Sequence, residues 1–97
     1  MATYISLIRF TDQGIRNIKQ TTERAQAFTE MAQKAGVTVK DIHWTLGAYD
    51  IVAITDSPDA ASVQALLLAT GSLGNIRTET LSGFSAEEMN SILAKLP

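Results

Sequence analysis

The stretch VTVKDIHWTLGAYDIVAIT, from Val37 to Thr55, decides the fold of this chain. Two runs rich in β-branched and apolar residues, Val37–Leu46 and Ile51–Thr55, flank the tetrapeptide Gly47–Asp50. So short a connection between two predicted strands favours an antiparallel hairpin. The second run is apolar at both odd and even positions, which is typical of a strand that is covered on both faces.

Helices and further strands are predicted on either side of this hairpin. The segment Ala2–Phe10 predicts a strand with apolar residues on both faces, because Ile5 and Leu7 alternate with Tyr4 and Ile8. The other predicted elements are a helix along Ile15–Ala35 with a break indicated at Thr21-Thr22, a helix that starts at Ser57-Pro58-Asp59 and ends at Gly71, a strand over Asn75–Phe84, and a last helix after the capping box Ser85–Glu88.

The order β-α-β-β-α-β with an added C-terminal helix predicts a single α+β domain over residues 1–97, of the ferredoxin-like type. Right-handed crossovers place both long helices on one face of the antiparallel sheet. The other face then lies open, although the first and third strands carry apolar side chains there. Leaving four or five such side chains in water forgoes several kcal/mol, a large share of a stability of about 5–15 kcal/mol. The pattern therefore predicts a homo-oligomer, as a dimer, a trimer or a larger ring.

Composition and charge argue against several classes of function. There is no cysteine among the 97 residues, so neither disulfides nor thiolate chemistry is available. The eight Lys and Arg residues are scattered and the net charge is -2, which disfavours a nucleic-acid partner. No apolar run approaches the roughly 20 residues that span a bilayer, so no membrane partner is expected. Since the N-terminus lacks a basic signal-peptide region, we expect a cytoplasmic protein.

The hairpin motif Gly47-x-Tyr49-Asp50 resembles the GYD-domain family, a group of small bacterial and archaeal proteins of unknown function. The further matching features are Arg9-Phe10-Thr11 followed by Asp12-Gln13-Gly14, then Ser57-Pro58-Asp59, and Arg77-Thr78-Glu79-Thr80-Leu81. The segment Gln20–Thr22 lacks the Ser-Pro that starts the main helix in the family, which leaves the start of this helix open. The resemblance implies a ferredoxin-like domain related to the dimeric α/β-barrel proteins, with no established activity.

Three residues on or near the hairpin are candidates for catalysis. Tyr49 and Asp50 either complete the turn or line a pocket beside the sheet, and turn chemistry alone explains Gly and Asp at such positions. His43, the single histidine, is a candidate general base. It is also a candidate haem ligand, because some dimeric α/β-barrel proteins bind haem. The simpler explanation is a polar residue on one strand face, and we predict no cofactor and no metal site.

Four more residues are candidates for ligand binding. Arg9, Arg77 and Glu79 lie on the first and last strands, which we expect to form the central pair of the sheet. These charges form either an ion pair across strands or subunits, or a pocket in which Arg9 and Arg77 bind a carboxylate or phosphate. Trp44 is expected in the core or at an interface, with contact to a substrate as the alternative.

Three hypotheses for function follow from these features. The first is a small oligomeric binding or regulatory module without enzyme activity, since no catalytic constellation is found. The second is a small-molecule enzyme, similar to the isomerases and monooxygenases of the dimeric α/β-barrel group, with a pocket between sheet and helices. In that case His43, Tyr49, Asp50 and Arg9 are the candidates for its chemistry. The third is a trimer that resembles the divalent-cation-tolerance proteins.

Overall fold

Four strands form one antiparallel sheet in the computed structural model, which describes residues 1–97. The strands are β1 (Ala2–Phe10), β2 (Thr38–Trp44), β3 (Ile51–Ser57) and β4 (Ile76–Gly83). The helices are α1 (Asp12–Arg16), α2 (Thr21–Lys34), α3 (Ala60–Gly71) and α4 (Ala86–Leu93), and one 3-10 turn (Ile18–Gln20) separates α1 from α2. The predicted α+β class and the hairpin between β2 and β3 are confirmed.

Strand β4 lies at an edge of the sheet, so the expectation that the first and last strands form the central pair is wrong. The spatial order is β2-β3-β1-β4, and the central pair is β1 and β3. Both β3 and β4 pair with β1, one on each side, whereas β4 has no second neighbour. Arg77 and Glu79 therefore stand on an edge strand, where exposed charges are common and protect the edge from pairing.

The two faces of the sheet differ as the alternation in β1 predicts. Ile8 is buried, and Tyr4 and Phe10 pack with the core between sheet and helices. We call this side the helix face. Ile5 and Leu7 lie on the opposite side, the open face, at only intermediate burial. Helices α2 and α3 cover the helix face with the buried residues Phe28, Ala32, Val63, Leu66 and Leu67.

The start of α3 differs from its prediction by two residues. Ser57 is not the helix cap, because it still pairs with Ala2 in the ladder between β3 and β1. Pro58 ends the strand, and Asp59 is the N-cap, with an extended backbone and a side chain that accepts a hydrogen bond from Ser62 N–H. The Ser57 hydroxyl instead donates to the carbonyl of Asp59 at 2.8 Å and stabilises the turn between β3 and α3.

The Asp59 cap makes the stability of the fold depend on pH in the acidic range. The bond from Ser62 N–H holds the pKa of Asp59 below its ordinary value of 3.8. A carboxylate with a lowered folded pKa stabilises the fold above its unfolded pKa, and that contribution is lost as pH falls through the folded pKa. We expect Asp59→Ala to melt at a lower temperature than the wild type near neutral pH. We expect Asp59→Asn, which keeps an oxygen acceptor, to melt close to the wild type there.

Thermal unfolding followed by circular dichroism, at about pH 7 and about pH 3, tests this sign. Asp59→Asn should lose less stability on acidification than the wild type, because its cap does not titrate. An Asp59→Ala variant with an unchanged melting temperature at neutral pH would contradict the assigned role of this side chain.

Helix α4 buries none of its residues in the single chain. The predicted capping box is present: Ser85 Oγ accepts from Glu88 N–H, and Glu88 Oε1 accepts from Ser85 N–H, which lowers the pKa of Glu88. The apolar side of the helix nevertheless remains exposed at Met89 and Leu93, by 44% and 49%. The radius of gyration is 14.6 Å, whereas a compact domain of this length has a value of about 12.5 Å, so the chain is elongated, with extents of 51 × 31 × 18 Å.

Candidate functional site

The loop between β2 and β3 is held in one conformation by its own hydrogen bonds. Gly47 has φ 112°, a backbone geometry that side chains with a Cβ seldom adopt. Thr45 N–H donates to the Asp50 carbonyl at 2.8 Å, and the Thr45 hydroxyl donates to the Tyr49 carbonyl at 2.6 Å. At the tip, Leu46 is 102% exposed. The loop thus presents an apolar side chain to solvent on a rigid base.

Asp50 joins this loop to the end of β1. Its Oδ2 accepts a hydrogen bond from Phe10 N–H at 2.9 Å, while its own N–H donates to the Ile8 carbonyl at 2.8 Å. The carboxylate thereby takes the place of a backbone acceptor where the ladder between β1 and β3 ends. This is a structural contact of the kind that turn chemistry predicts, although the amide it binds belongs to β1 and not to the turn itself.

Removing this carboxylate should weaken the fold. Asp50→Ala leaves Phe10 N–H without its acceptor, and we expect a loss of about 1–3 kcal/mol in the free energy of unfolding. Asp50→Asn keeps an oxygen acceptor and should lose less than half of that amount. Urea unfolding of the three proteins measures both values. If Asp50→Asn were as unstable as Asp50→Ala, the negative charge and not the hydrogen bond would be the important property.

Arg9 contacts three groups on the open face. Its Nε donates to the Ala48 carbonyl at 2.9 Å, its Nη1 lies 3.6 Å from Glu79 Oε1, and its guanidinium carbon stands 4.6 Å from the centre of the Tyr49 ring. The ion pair is half exposed and contributes little by itself, whereas stacking on the ring orients the guanidinium. The Arg9–Glu79 ion pair joins neighbouring strands, and the stack on the ring adds Tyr49, which neither predicted arrangement of these charges included.

Arg77 stands directly opposite Arg9 in the ladder between β1 and β4. Opposed positions share a sheet face, and like charges at opposed positions are unfavourable without a counter-charge. Glu79 supplies one counter-charge, to Arg9, and Arg77 itself forms no ion pair. The anion pocket formed by Arg9 and Arg77 remains a prediction. In it, Arg77 is the arginine without an ion-pair partner.

The centre of the open face is apolar. Ile5 of β1 is opposite Ile54 of β3 on one side and Leu81 of β4 on the other, and Leu7 is opposite Val52. Leu81 is 49% exposed and the other four are of intermediate burial. These five residues form one continuous surface across three strands, which we call the open-face patch. Contiguous apolar surfaces of this kind mark interaction sites in soluble proteins.

A cavity of about 330 Å³ lies on the other side of the sheet, between α2 and the helix face. Hydrophobic side chains make up 11 of the 15 residues that line it. Among them are Phe10, Ile51 and Ile76 from three strands and Phe28 from α2. Arg24 is the one charged residue in the lining.

None of the predicted catalytic residues lines this cavity. His43 belongs to the exposed edge strand β2, where its Nε2 lies 2.9 Å from Asp41 Oδ1 and its side chain is 66% exposed. Tyr49 and Asp50 lie in the loop, and Arg9 lies on the open face. The candidate residues for a small-molecule enzyme therefore lie outside the cavity between sheet and helices.

The surroundings of His43 do not fit a haem ligand. The imidazole lies at the edge of the open face, opposite Val52, where it contacts a carboxylate and is 66% exposed, with no apolar slot around it. No group of three or more His, Cys, Asp or Glu side chains is placed to hold a metal ion. None of the helices has the length and apolar character needed to cross a membrane.

Trp44 occupies a border position between β2 and α2. Its Nε1 donates to Thr21 Oγ1 at 3.0 Å, and the side chain is 43% exposed. Trp44 is thus neither fully buried in the core nor fully exposed. It lies at the same end of the sheet as the loop that contains Leu46. An exposed tryptophan fixed by a hydrogen bond is a common anchor in protein interfaces.

Arg24 lines the cavity and Gly14 accepts one of its hydrogen bonds, but neither residue was among the candidate site residues. Arg24 lies in the first turns of α2, where the helix dipole disfavours a cation, and that unfavourable placement was the available signal. Gly14 is a glycine inside a short helix, buried against the Asn75 carbonyl. The contact between Gly14 and Asn75 cannot be inferred from local patterns because these residues are distant in sequence, whereas the carbonyl acceptors of Arg24 lie only 7 and 10 positions away.

Comparison with known proteins gives one family match and several structural ones. A model of the GYD domain matches residues 4–93. A protein from Thermus thermophilus, named glutamine synthetase and cystathionine beta-lyase binding protein, is 31% identical over 90 residues, which are 92% of this chain and 95% of the relative. The crystal structure of TTHA0845, from the same species, matches with a TM-score of 0.58 and 28% identity, covering 89% of this chain and 96% of that one.

Two further solved structures support the fold alone. The crystal structure of an FFRP protein has a TM-score of 0.62 at 15% identity and covers 87% of this chain and all, 100%, of that one. The solution structure of the C-terminal domain of MgtC from Mycobacterium tuberculosis has a TM-score of 0.58 at 12% identity, with 86% and 88% covered.

Proposed function

Because the chain belongs to the GYD-domain family, as the hairpin motif predicted, we propose that it is a small homo-oligomeric module that binds metabolic enzymes and is not itself a catalyst. The observation that carries this proposal is the relative from Thermus thermophilus, which is named for binding glutamine synthetase and cystathionine beta-lyase. That relative is matched over nearly its whole length, 95%, so the likeness concerns the complete domain. A cytoplasmic location is part of the proposal, because partners of this kind would be met there.

The arrangement of the sheet supports self-association. The element order and the strand order β2-β3-β1-β4 fit a ferredoxin-like domain, and we infer a pairing of the dimeric α/β-barrel type, in which the open faces of two copies pack together. Four of the five residues of the open-face patch lie on the central strands β1 and β3, where a second copy would cover them most completely. The apolar side of α4, with Met89 and Leu93, is the second surface that such a partner copy would bury.

The loop between β2 and β3 is the surface that we assign to the enzyme partner. It combines a fully exposed Leu46 with Trp44, Tyr49 and Arg9, and Trp, Tyr and Arg dominate the energetics of protein interfaces. The hydrogen bonds of Thr45 and the stacking of Arg9 on Tyr49 hold the loop before binding, which lowers the entropy cost of association.

Binding to purified enzymes tests the proposal. The glutamine synthetase and the cystathionine beta-lyase of the organism that encodes this chain are immobilised in turn, and the full chain is passed over them in biolayer interferometry. We expect saturable binding to at least one enzyme. Leu46→Ser should weaken it by about tenfold or more, because burial of a leucine contributes about 1.5–3 kcal/mol.

Leu68→Ser is the matched control, since Leu68 is 63% exposed on α3, away from the loop. Both substitutions affect exposed side chains, so neither should change the fold. Saturable binding that Leu46→Ser leaves unchanged would remove the loop from the proposal. The absence of binding to both enzymes would overturn the proposed function.

A further inference from the structure

The cavity on the helix face holds one positive charge within an apolar lining. Four of its lining residues are polar, and three of these have partners of their own. Thr21 accepts from Trp44, Asn75 accepts from Gln13, and the Thr70 hydroxyl donates to a backbone carbonyl of its own helix. The remaining polar residue is Arg24, and it forms no ion pair with a carboxylate.

The guanidinium of Arg24 is held in place but not neutralised. Its Nη1 donates to the Asn17 carbonyl at 2.7 Å and its Nη2 donates to the Gly14 carbonyl at 3.3 Å. Guanidinium has five N–H donors, so three are not used by these two bonds. A partly buried cation beside apolar surface gains from a negatively charged group that accepts from those donors. Backbone carbonyls orient the group without compensating its charge.

We propose that this cavity binds a small apolar carboxylate, whose acid group pairs with Arg24 and whose hydrocarbon part lies among Phe28, Ile42 and Ile76. The volume of about 330 Å³ lies at the low end of the range for small-molecule sites, so the ligand is small. The apolar lining selects a hydrocarbon body, and the single cation selects a single anionic group. This site is on the side of the sheet opposite to the open-face patch, and it does not depend on the proposed enzyme partner.

Octanoate and 1-octanol are the probes, because they share one hydrocarbon chain and differ in charge. Isothermal titration of the full chain should show that octanoate binds the wild type at least tenfold more tightly than 1-octanol does. Arg24→Met, which keeps the length of the side chain, should bind octanoate at least tenfold more weakly. Arg24→Lys keeps the charge but not the fork of donors, so it should bind octanoate more tightly than Arg24→Met and more weakly than the wild type.

A second variant locates the ligand independently of Arg24. Ala25→Leu adds bulk to the cavity wall and should abolish octanoate binding while leaving the chain folded. Equal affinity of the wild type for both probes, or octanoate binding unchanged in Arg24→Met, would overturn the assignment of the acid group to Arg24. Octanoate binding that survives Ala25→Leu would show that the ligand binds elsewhere, which overturns the site.

Discussion

Ile54→Lys is expected to convert the proposed oligomer to a folded monomer. Ile54 lies on the central strand β3, opposite Ile5, in the middle of the open-face patch. In a dimer through this face, each substitution would place an ammonium group against the apolar surface of the other copy. The loss of apolar burial and the cost of burying the charge together reach about 2–3 kcal/mol per copy. Over two copies the dissociation constant should rise by at least about a thousandfold.

The isolated subunit should tolerate this change. Asp41 of β2 is the other neighbour of Ile54 in the ladder, so a lysine there faces a carboxylate across strands, which is favourable. Light scattering coupled to gel filtration should give the chain mass of 10.5 kDa for Ile54→Lys and a multiple of it for the wild type. Circular dichroism should be the same for both.

Leu68→Lys provides the control for the added charge, since it changes an exposed leucine on α3 and should leave the assembly intact. The mass of the wild type also decides between a dimer, a trimer and a larger ring. A wild-type chain that is monomeric at micromolar concentration, with its open face in water, would refute the self-association from which this prediction starts.

Gly14→Ala is expected to destabilise the fold severely. A Cβ at this position would overlap with the carbonyl oxygen of Asn75. That oxygen belongs to the backbone and accepts a hydrogen bond from Thr11 N–H at 3.0 Å, so it cannot move without breaking the link between the end of β1 and the start of β4. We expect a loss of about 3 kcal/mol or more in the free energy of unfolding, which corresponds to at least about 10 °C in melting temperature.

Gly71→Ala is the matched control at the end of α3. An added Cβ there meets no atom within 4 Å, and the backbone is not in the left-handed region. Because alanine restricts the unfolded chain more than glycine does, the variant should be as stable as the wild type or more stable by up to about 1 kcal/mol. Equal melting temperatures of Gly14→Ala and Gly71→Ala would show that the packing of α1 on Asn75 is not tight.

The alternation of apolar residues predicted the two faces of β1 because neighbouring side chains in a strand point to opposite sides. This alternation alone placed Ile8 and Ile5 on opposite faces, and in the structure Ile8 lies in the core and Ile5 on the open face. The loop motif placed Gly47 in the turn, and the structure gives it a positive φ that few other residues adopt. The position of β4 at the edge was missed. Strand order depends on the path of the crossover connections, and the residue pattern within each strand does not reveal it.

The candidate site shows the same division between local and distant contacts. Asp50 was recognisable as a turn residue, but its partner Phe10 N–H is 40 positions away and could not be inferred. Arg9 and Glu79 were grouped as charges on two strands and Tyr49 was considered apart from them, and only the fold brings all three into one cluster. A pocket between sheet and helices was one of the hypotheses, but its lining by Arg24 was not predicted, because an unfilled volume is a property of packing and no single residue type encodes it.

The sequence by itself determined the class of the fold, the hairpin, the family and the apolar second face of the sheet. Each of these depends on residue type and short-range periodicity, which the chain carries locally. The tertiary structure alone decided which charges meet, where Gly14 touches Asn75 and where a cavity remains. Those features depend on distances between segments that are remote along the chain, and such distances exist only after the layers have packed.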